Sequence, residues 1–296
     1  MKVFIAGASG ILGKRVAKLL LERGDEVAGM TRSRPEVVAE TGATPVVVDA
    51  FDAPSVKAAV TDASPDVIVH ALSRIPHAAF PLPSRLKENN LLRIKGTANL
   101  LEAANAAGVH RVIAESITFA FRGRREEKMR PLSAMRSFQP AVDAVVDMES
   151  QVLKVGGVAL RFAFFYGPGT AVDEKFPQAL RRRSLPIIGQ GTGWWSFIHI
   201  DDAASATVAA IDNAKAGEAY NIADDEPILA RDALAVISEV SGTPRPLRIP
   251  AGPVYAREFF NESTGALNEK ARRELNWAPA YPTFKEGFPA TYSPAR

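Results

Sequence analysis

KVFIAGASGILGKRVAKLLLERG, Lys2 to Gly24, is the stretch that decides the fold. Lys2–Ala6 reads as a short buried strand, and Gly7, Gly10 and Gly13 punctuate the turn after it. Ile11, Val16, Leu19 and Leu20 then recur at helical spacing until Gly24 stops the helix. Strand, glycine loop and helix in that order make a phosphate cradle. The first glycine permits the sharp turn, the second lets backbone N–H groups approach a pyrophosphate, and the third lets helix and strand pack closely. The helix N-terminus adds partial positive charge.

Outward from this stretch, strands and helices alternate. Further strands are expected at Glu26–Met30, Pro45–Val48, Asp66–His70 and Arg111–Ala114, with a long helix from about Leu86 to Ala107 before the last of these. A helix from about Ala141 to Lys154 leads through Gly156-Gly157 to a strand at Val158–Phe162. This rhythm implies the α/β class, a Rossmann-type doubly wound parallel sheet covered by helices on both faces. Beyond Tyr166-Gly167-Pro168-Gly169 the prolines become frequent and the elements shorten. A dinucleotide-binding domain over 1–165 and a smaller C-terminal substrate lobe over 166–296 are expected, the chain returning to the first domain near 198–215. Gly123–Arg130 (GRREEKMR) reads as a charged surface loop, and Arg181-Arg182-Arg183 as a solvated helix face.

Composition narrows the function. At 296 residues the chain can bury a large core, and 47% hydrophobic with 23% charged residues is the balance of a soluble globular protein. A net charge of +3 makes no case for nucleic acid. The absence of cysteine removes disulfides, thiolate metal sites and cysteine nucleophiles, and fits a reducing cytoplasm. His70, His77, His110 and His199 have no metal-ligand spacing, and no apolar run approaches a membrane span. No metal, no nucleic acid and no membrane partner are expected. With a strand read at the N-terminus, no signal peptide is expected.

Five ordered motifs now carry a resemblance: GASGILG at Gly7–Gly13, KGTANLLEAANAAGVHRVIAES at Lys95–Ser116, RFAFFYGPGT at Arg161–Thr170, FIHIDDAASA at Phe197–Ala206 and YNIAD at Tyr220–Asp224. Over nearly its whole length the chain resembles the extended short-chain dehydrogenase/reductase family, which includes nucleotide-sugar epimerases and dehydratases. The resemblance implies that Gly7, Ser9, Gly10, Ile11, Leu12 and Gly13 hold a dinucleotide, with Asp49 and Ala50 near adenine and Ala71 and Leu72 along the cleft. It also implies dimerisation through the two long helices. The family's acid is a Tyr followed four residues later by a Lys on one helix face, where the ammonium tunes the phenol. Counting back from Glu149, those positions fall on Ala141 and Val145, and no Tyr-x-x-x-Lys occurs on that helix; Tyr281 and Lys285 have the spacing but lie near the C-terminus, far from it. Ser116 matches the family serine, and Arg93 stands where a helix asparagine often completes the set.

Three readings stay open: an oxidoreductase with a non-standard catalytic acid, a non-redox isomerase or lyase on the same fold, and a non-catalytic NADP(H)-binding regulator. Ser116 and Tyr166 are the first candidates for chemistry, with Asp143, Glu115 and His70 as further titratable groups and a structural role as the alternative for each. The second strand ends Met30-Thr31-Arg32-Ser33-Arg34, without the carboxylate that NAD enzymes place there. Thr31 and Arg32, with Arg34, would welcome a 2′-phosphate, so NADP(H) is the expected cofactor. Trp195 falls where nucleotide-sugar enzymes of the family carry a diphosphate-binding Arg. With Arg93, Phe121 and Phe165 it is expected to line a pocket for an apolar or aromatic small molecule; Phe80, Phe119, Tyr255, Phe259 and Phe260 fall in neighbouring segments.

Overall fold

A computed structural model describes residues 1–79, 82–123 and 129–292. Phe80 and most of the Gly123–Arg130 loop lie outside the described residues. Seven strands form the main sheet: β1 (Lys2–Ala6), β2 (Glu26–Thr31), β3 (Thr44–Val47), β4 (Val67–His70), β5 (Arg111–Ile117), β6 (Val158–Phe162) and β7 (Ala219–Ile222). Their order is β7-β6-β5-β4-β1-β2-β3, every pairing parallel. The order reverses between β1 and β4, so a crevice opens at the carboxyl ends of these two strands.

Successive side chains of a strand point to opposite faces, and both faces of this sheet are buried. Val3 and Ile5 join Val16 and Leu20 of α1 (Ile11–Glu22) in one core cluster. Phe4 and Ala6 face the other way, toward Val56 and Val60 of the helix Ala53–Ala63 and toward Leu100 and Ala103 of the helix Thr97–Ala106. A third cluster, rich in rings, fills the smaller lobe: Tyr166, Phe176, Trp195, Phe197, Phe259, Phe260, Phe284 and Phe288. The helix Ile200–Asn213 packs on α1, and β7 adds to the edge of β6.

Two elements depart from expectation, and both shape the cleft. The expected helix Leu86–Ala107 is helical throughout but not uniform: a 3-10 turn at Pro83–Leu86 and an α-helix at Lys87–Leu91 run into a π-turn at Leu92–Gly96 before the helix Thr97–Ala106. Strand β5 runs three residues past the expected Ala114. Among the described residues no helix is long and apolar enough to cross a membrane.

Candidate active site

The crevice is built by the first βα turn. Gly7 sits at φ 95°, a conformation that L side chains rarely adopt, and a Cβ there would collide with the Ala71 carbonyl oxygen. A Cβ on Gly13 would strike the Gly7 carbonyl, so only glycine lets α1 sit this close to its strand. Gly10 is the N-cap of α1 and supplies no side-chain cap, and the first turn holds no acid. The orphan N–H groups of the helix start are left for an anion.

Two cavities flank this turn. The smaller, about 230 Å3, is lined by Gly7, Ser9, Gly10, Thr31, Arg32, Arg34, Asp49, Ala50, Ala71 and Leu72, and also by Met30, Ser73 and Arg74. Here the expected residues at the ends of β1, β2 and β4 come together. Ser9 Oγ and Thr31 Oγ1 lie 2.9 Å apart, and Arg34 Nη2 donates to the Ser9 carbonyl at 3.1 Å. The larger, about 490 Å3, begins at Gly10, Ile11, Leu12 and Gly13 and opens between the sheet and the smaller lobe. Phe119, Phe138, Phe164, Phe165, Phe176 and Phe259 line it, Phe119 stacking on Phe164 at 4.8 Å. Ala141, Val142 and Val145 of the helix Gln139–Lys154 present an apolar face to this cavity; Ala141 and Val145 are the positions matched to the family's Tyr and Lys.

Several expected site residues lie elsewhere. Ser116 is fully buried on the face of β5 opposite Glu115 and Ile117, and it is these two that line the cavity. Ser116 Oγ donates to Glu149 Oε1 at 2.5 Å, and Glu149 is held by Arg161 at 2.6 Å. Because the side-chain period of a strand is two, a serine one residue out of step points the wrong way. Tyr166 is fully buried in edge contact with Phe197, His199 and Phe284, its hydroxyl has no hydrogen-bond partner, and it does not line the cavity. Burial and the carboxylates of Asp224 and Asp202 push its phenol well above the usual range. Phe121 lies beneath the Arg161 guanidinium, 3.9 Å from the ring centroid, and outside the cavity lining. Trp195 pairs with Ile228 in a two-stranded ladder and is buried among rings, its indole N–H donating to the Phe259 carbonyl at 3.1 Å. Ser116, Tyr166, Phe121 and Trp195 thus do not line the larger cavity, whereas Arg93 and Phe165 do. Asp143 takes a hydrogen bond from Gln139 at 2.7 Å on an exposed helix face.

The titratable groups of the cleft sort clearly. His70 is buried, its Nε2 2.7 Å from Thr97 Oγ1, and burial, helped by the Arg93 charge, lowers it to about 4. Its burial and its contact with Thr97 favour the neutral ring. Glu115 lines the larger cavity, and desolvation pushes it up to about 7 against the opposing pull of Arg93. Arg93, 1% exposed, projects from the π-turn; its Nη1 meets only the Met148 sulfur at 3.7 Å and its Nη2 has no partner. The pocket rings Phe138, Phe164 and Phe176 were not singled out in the sequence.

A family model described as the NAD dependent epimerase/dehydratase family matches residues 3–223. The chain belongs to that family. Among curated relatives of this family member, a protein named 3-diazoavenalumate denitrifying reductase from a Streptomyces species is 33% identical over 97% of this chain and 99% of its own length. A 2-alkyl-3-oxoalkanoate reductase from Shewanella oneidensis is 28% identical over 92% of this chain and 73% of its own. Among solved structures, a UDP-glucose 4-epimerase from Thermotoga maritima superposes with a TM-score of 0.81 at 20% identity, covering 99% of this chain and 97% of that one. These likenesses support an NAD(P)-dependent enzyme of the oxidoreductase type. The glycine cradle, the uncapped helix start and the adjoining cavities fit a nicotinamide dinucleotide.

Proposed function

We propose that this family member is an NADP(H)-dependent reductase of an apolar or aromatic small molecule, with Glu115 carrying the proton that the family's tyrosine would carry. One observation supports this above the rest: Glu115 is the carboxyl that faces a ring-lined cavity whose helix wall, Ala141, Val142 and Val145, has nothing to titrate. The backbone N–H groups of the first turn and the start of α1 would hold the pyrophosphate, and Arg32 and Arg34 a 2′-phosphate. When bound, the nicotinamide exchanges a hydride with the substrate. The rings around the cavity exclude water and orient a flat substrate. A carboxyl near 7 still holds its proton over much of the neutral range, so Glu115 can give that proton to a substrate oxygen as charge grows there.

The relative named a denitrifying reductase favours a second reading within the same cavity. An aromatic diazonium carbon that takes hydride releases N2, which leaves with the C–N electron pair. No alkoxide forms, and no acid is needed. Oxidation of NADPH followed at 340 nm separates the two, with ring-bearing ketones in one arm and arenediazonium acids in the other. For ketones, Glu115→Gln is expected to lower kcat by about 10²–10⁴ and to abolish the loss of rate as pH rises through 7. Unchanged ketone turnover in that variant would remove Glu115 as the acid. Turnover of the diazonium arm alone, insensitive to the same substitution, would establish the second reading.

A further inference from the structure

Arg93 carries an inference that neither reading of the proton requires. Guanidinium groups are almost never fully buried unless paired, because taking the charge out of water is costly. Arg93 is 1% exposed, lines the larger cavity, makes no ion pair within 4 Å among the described residues, and leaves Nη2 without any hydrogen-bond partner. The neighbouring carboxylate that might answer it, Glu149, is already engaged by Arg161 at 2.6 Å and by Ser116 at 2.5 Å. Glu115, the other acid in range of its charge, is not within ion-pair distance. The backbone adds an independent observation. The only π-turn among the described residues is Leu92–Gly96, the turn that carries Arg93. Such turns insert one extra residue into a helix and recur at functional sites.

We propose that Arg93 is the anchor for a carboxylate on the substrate, so that the molecule bound beside the aromatic wall is an aromatic acid. The inference rests on the reductase reading for what the pocket is for, but not for what it binds. A carboxylate accepts two parallel N–H bonds from a guanidinium, supplying the partner that Nη2 lacks. The flat apolar remainder would lie along Phe119, Phe164 and Phe165, and the carboxylate would fix which ring atom faces the nicotinamide end of the cleft. Lysine could not replace Arg93 in that role, since a point charge does not give the forked geometry.

Calorimetric titration of the protein saturated with NADP⁺ tests this without turnover. The probes are trans-cinnamate and 2-naphthoate, each against its own primary amide. The wild type is expected to bind each acid about ten- to a hundredfold more tightly than its amide, the discrimination of a charged hydrogen-bonded pair. Arg93→Met, which keeps the length and removes the charge, is expected to bring acid and amide to equal affinity while amide affinity and the melting temperature hold or rise. Arg93→Lys is expected to restore only part of the preference. Equal affinity of acid and amide in the wild type would overturn the proposal, as would failure of every probe to bind, or an acid preference that survives in Arg93→Met. Should Arg93→Met fail to fold, the wild-type comparison decides alone. Acid preference in a protein that oxidises no NADPH would leave the anchor standing and bring down the reductase reading.

Discussion

At the scale of the residue, half-buried Glu115 and buried His70 contribute to the response to pH in opposite directions. Glu115 is raised to about 7 in the folded chain, so the unfolded chain releases its proton first, and stability falls as pH rises from the ordinary carboxylate range through about 7. Glu115→Gln is therefore expected to stabilise by about 2–3 kcal/mol above pH 8 and by almost nothing below pH 4, read from urea melts at the two ends. His70 works in the other direction. Lowered to about 4, it stays neutral in the fold while the unfolded chain takes up a proton below about 6.5, so stability is lost as pH falls through that window. An asparagine there should flatten that part of the acid limb. Tyr166 offers a contrast with what its motif implies. Its hydroxyl has no partner and stands outside the cavity, so Tyr166→Phe should leave NADP⁺ affinity and kcat within about twofold, and stability unchanged or higher by about 1 kcal/mol. A hundredfold loss of kcat would return Tyr166 to the chemistry.

At the scale of the element, strand β5 and the helix Gln139–Lys154 are clamped together behind the cleft by Ser116, Glu149 and Arg161. Removing the carboxylate leaves Arg161, only 8% exposed, buried without its partner. Glu149→Leu is expected to cost about 3–5 kcal/mol by denaturant unfolding, and Ser116→Ala, which removes one bond to a charged acceptor, about 1.5–3 kcal/mol. These losses are structural. In protein that stays folded, both variants should keep their affinity for NADP⁺, because neither side chain lines either cavity. The loop after β2 behaves differently. Arg34 holds the Ser9 carbonyl and Arg32 lines the smaller cavity, so Arg32→Ala is expected to lower NADPH affinity about ten- to a hundredfold while leaving NADH affinity nearly unchanged. Titrations of wild type and variant with both cofactors measure this, and equal affinity of the wild type for the two would refute the choice of NADP(H).

At the scale of the whole molecule, the cleft depends on two cores meeting. The sheet supplies the glycine turn and Glu115, while the ring-rich cluster of the smaller lobe stands behind the opposite wall, to which Phe164, Phe176 and Phe259 belong. A dinucleotide that binds only the folded chain should raise its stability by mass action, about 2.7 kcal/mol at a hundred times the dissociation constant. Gly13→Val, which drives a side chain into the Gly7 carbonyl, should abolish that gain along with cofactor binding.

The sheet, its helices and the dinucleotide turn were legible in the chain because their causes are local. Periodicity, glycine placement and strand-helix alternation act within a few residues, and the absence of a Tyr-x-x-x-Lys pair from the stretch before Glu149 is a fact of the sequence alone. Ala141 and Val145 were picked out through the resemblance, by counting back from Glu149, and they share a helix face because they stand four residues apart. The substrate wall was not legible to the same degree. Ser116 and Glu115 are neighbours in sequence, and only the length and twist of β5 in its sheet decided which of them faces the cleft. Tyr166, Phe121 and Trp195 are large aromatic residues, as are the phenylalanines that do line it. Their burial elsewhere was settled by how the smaller lobe packs, a matter of contacts between segments more than thirty residues apart, which a pattern read along the chain does not contain. The uncompensated charge of Arg93 has the same origin: its lack of a partner becomes visible only once every other acid has found one or stands out of reach.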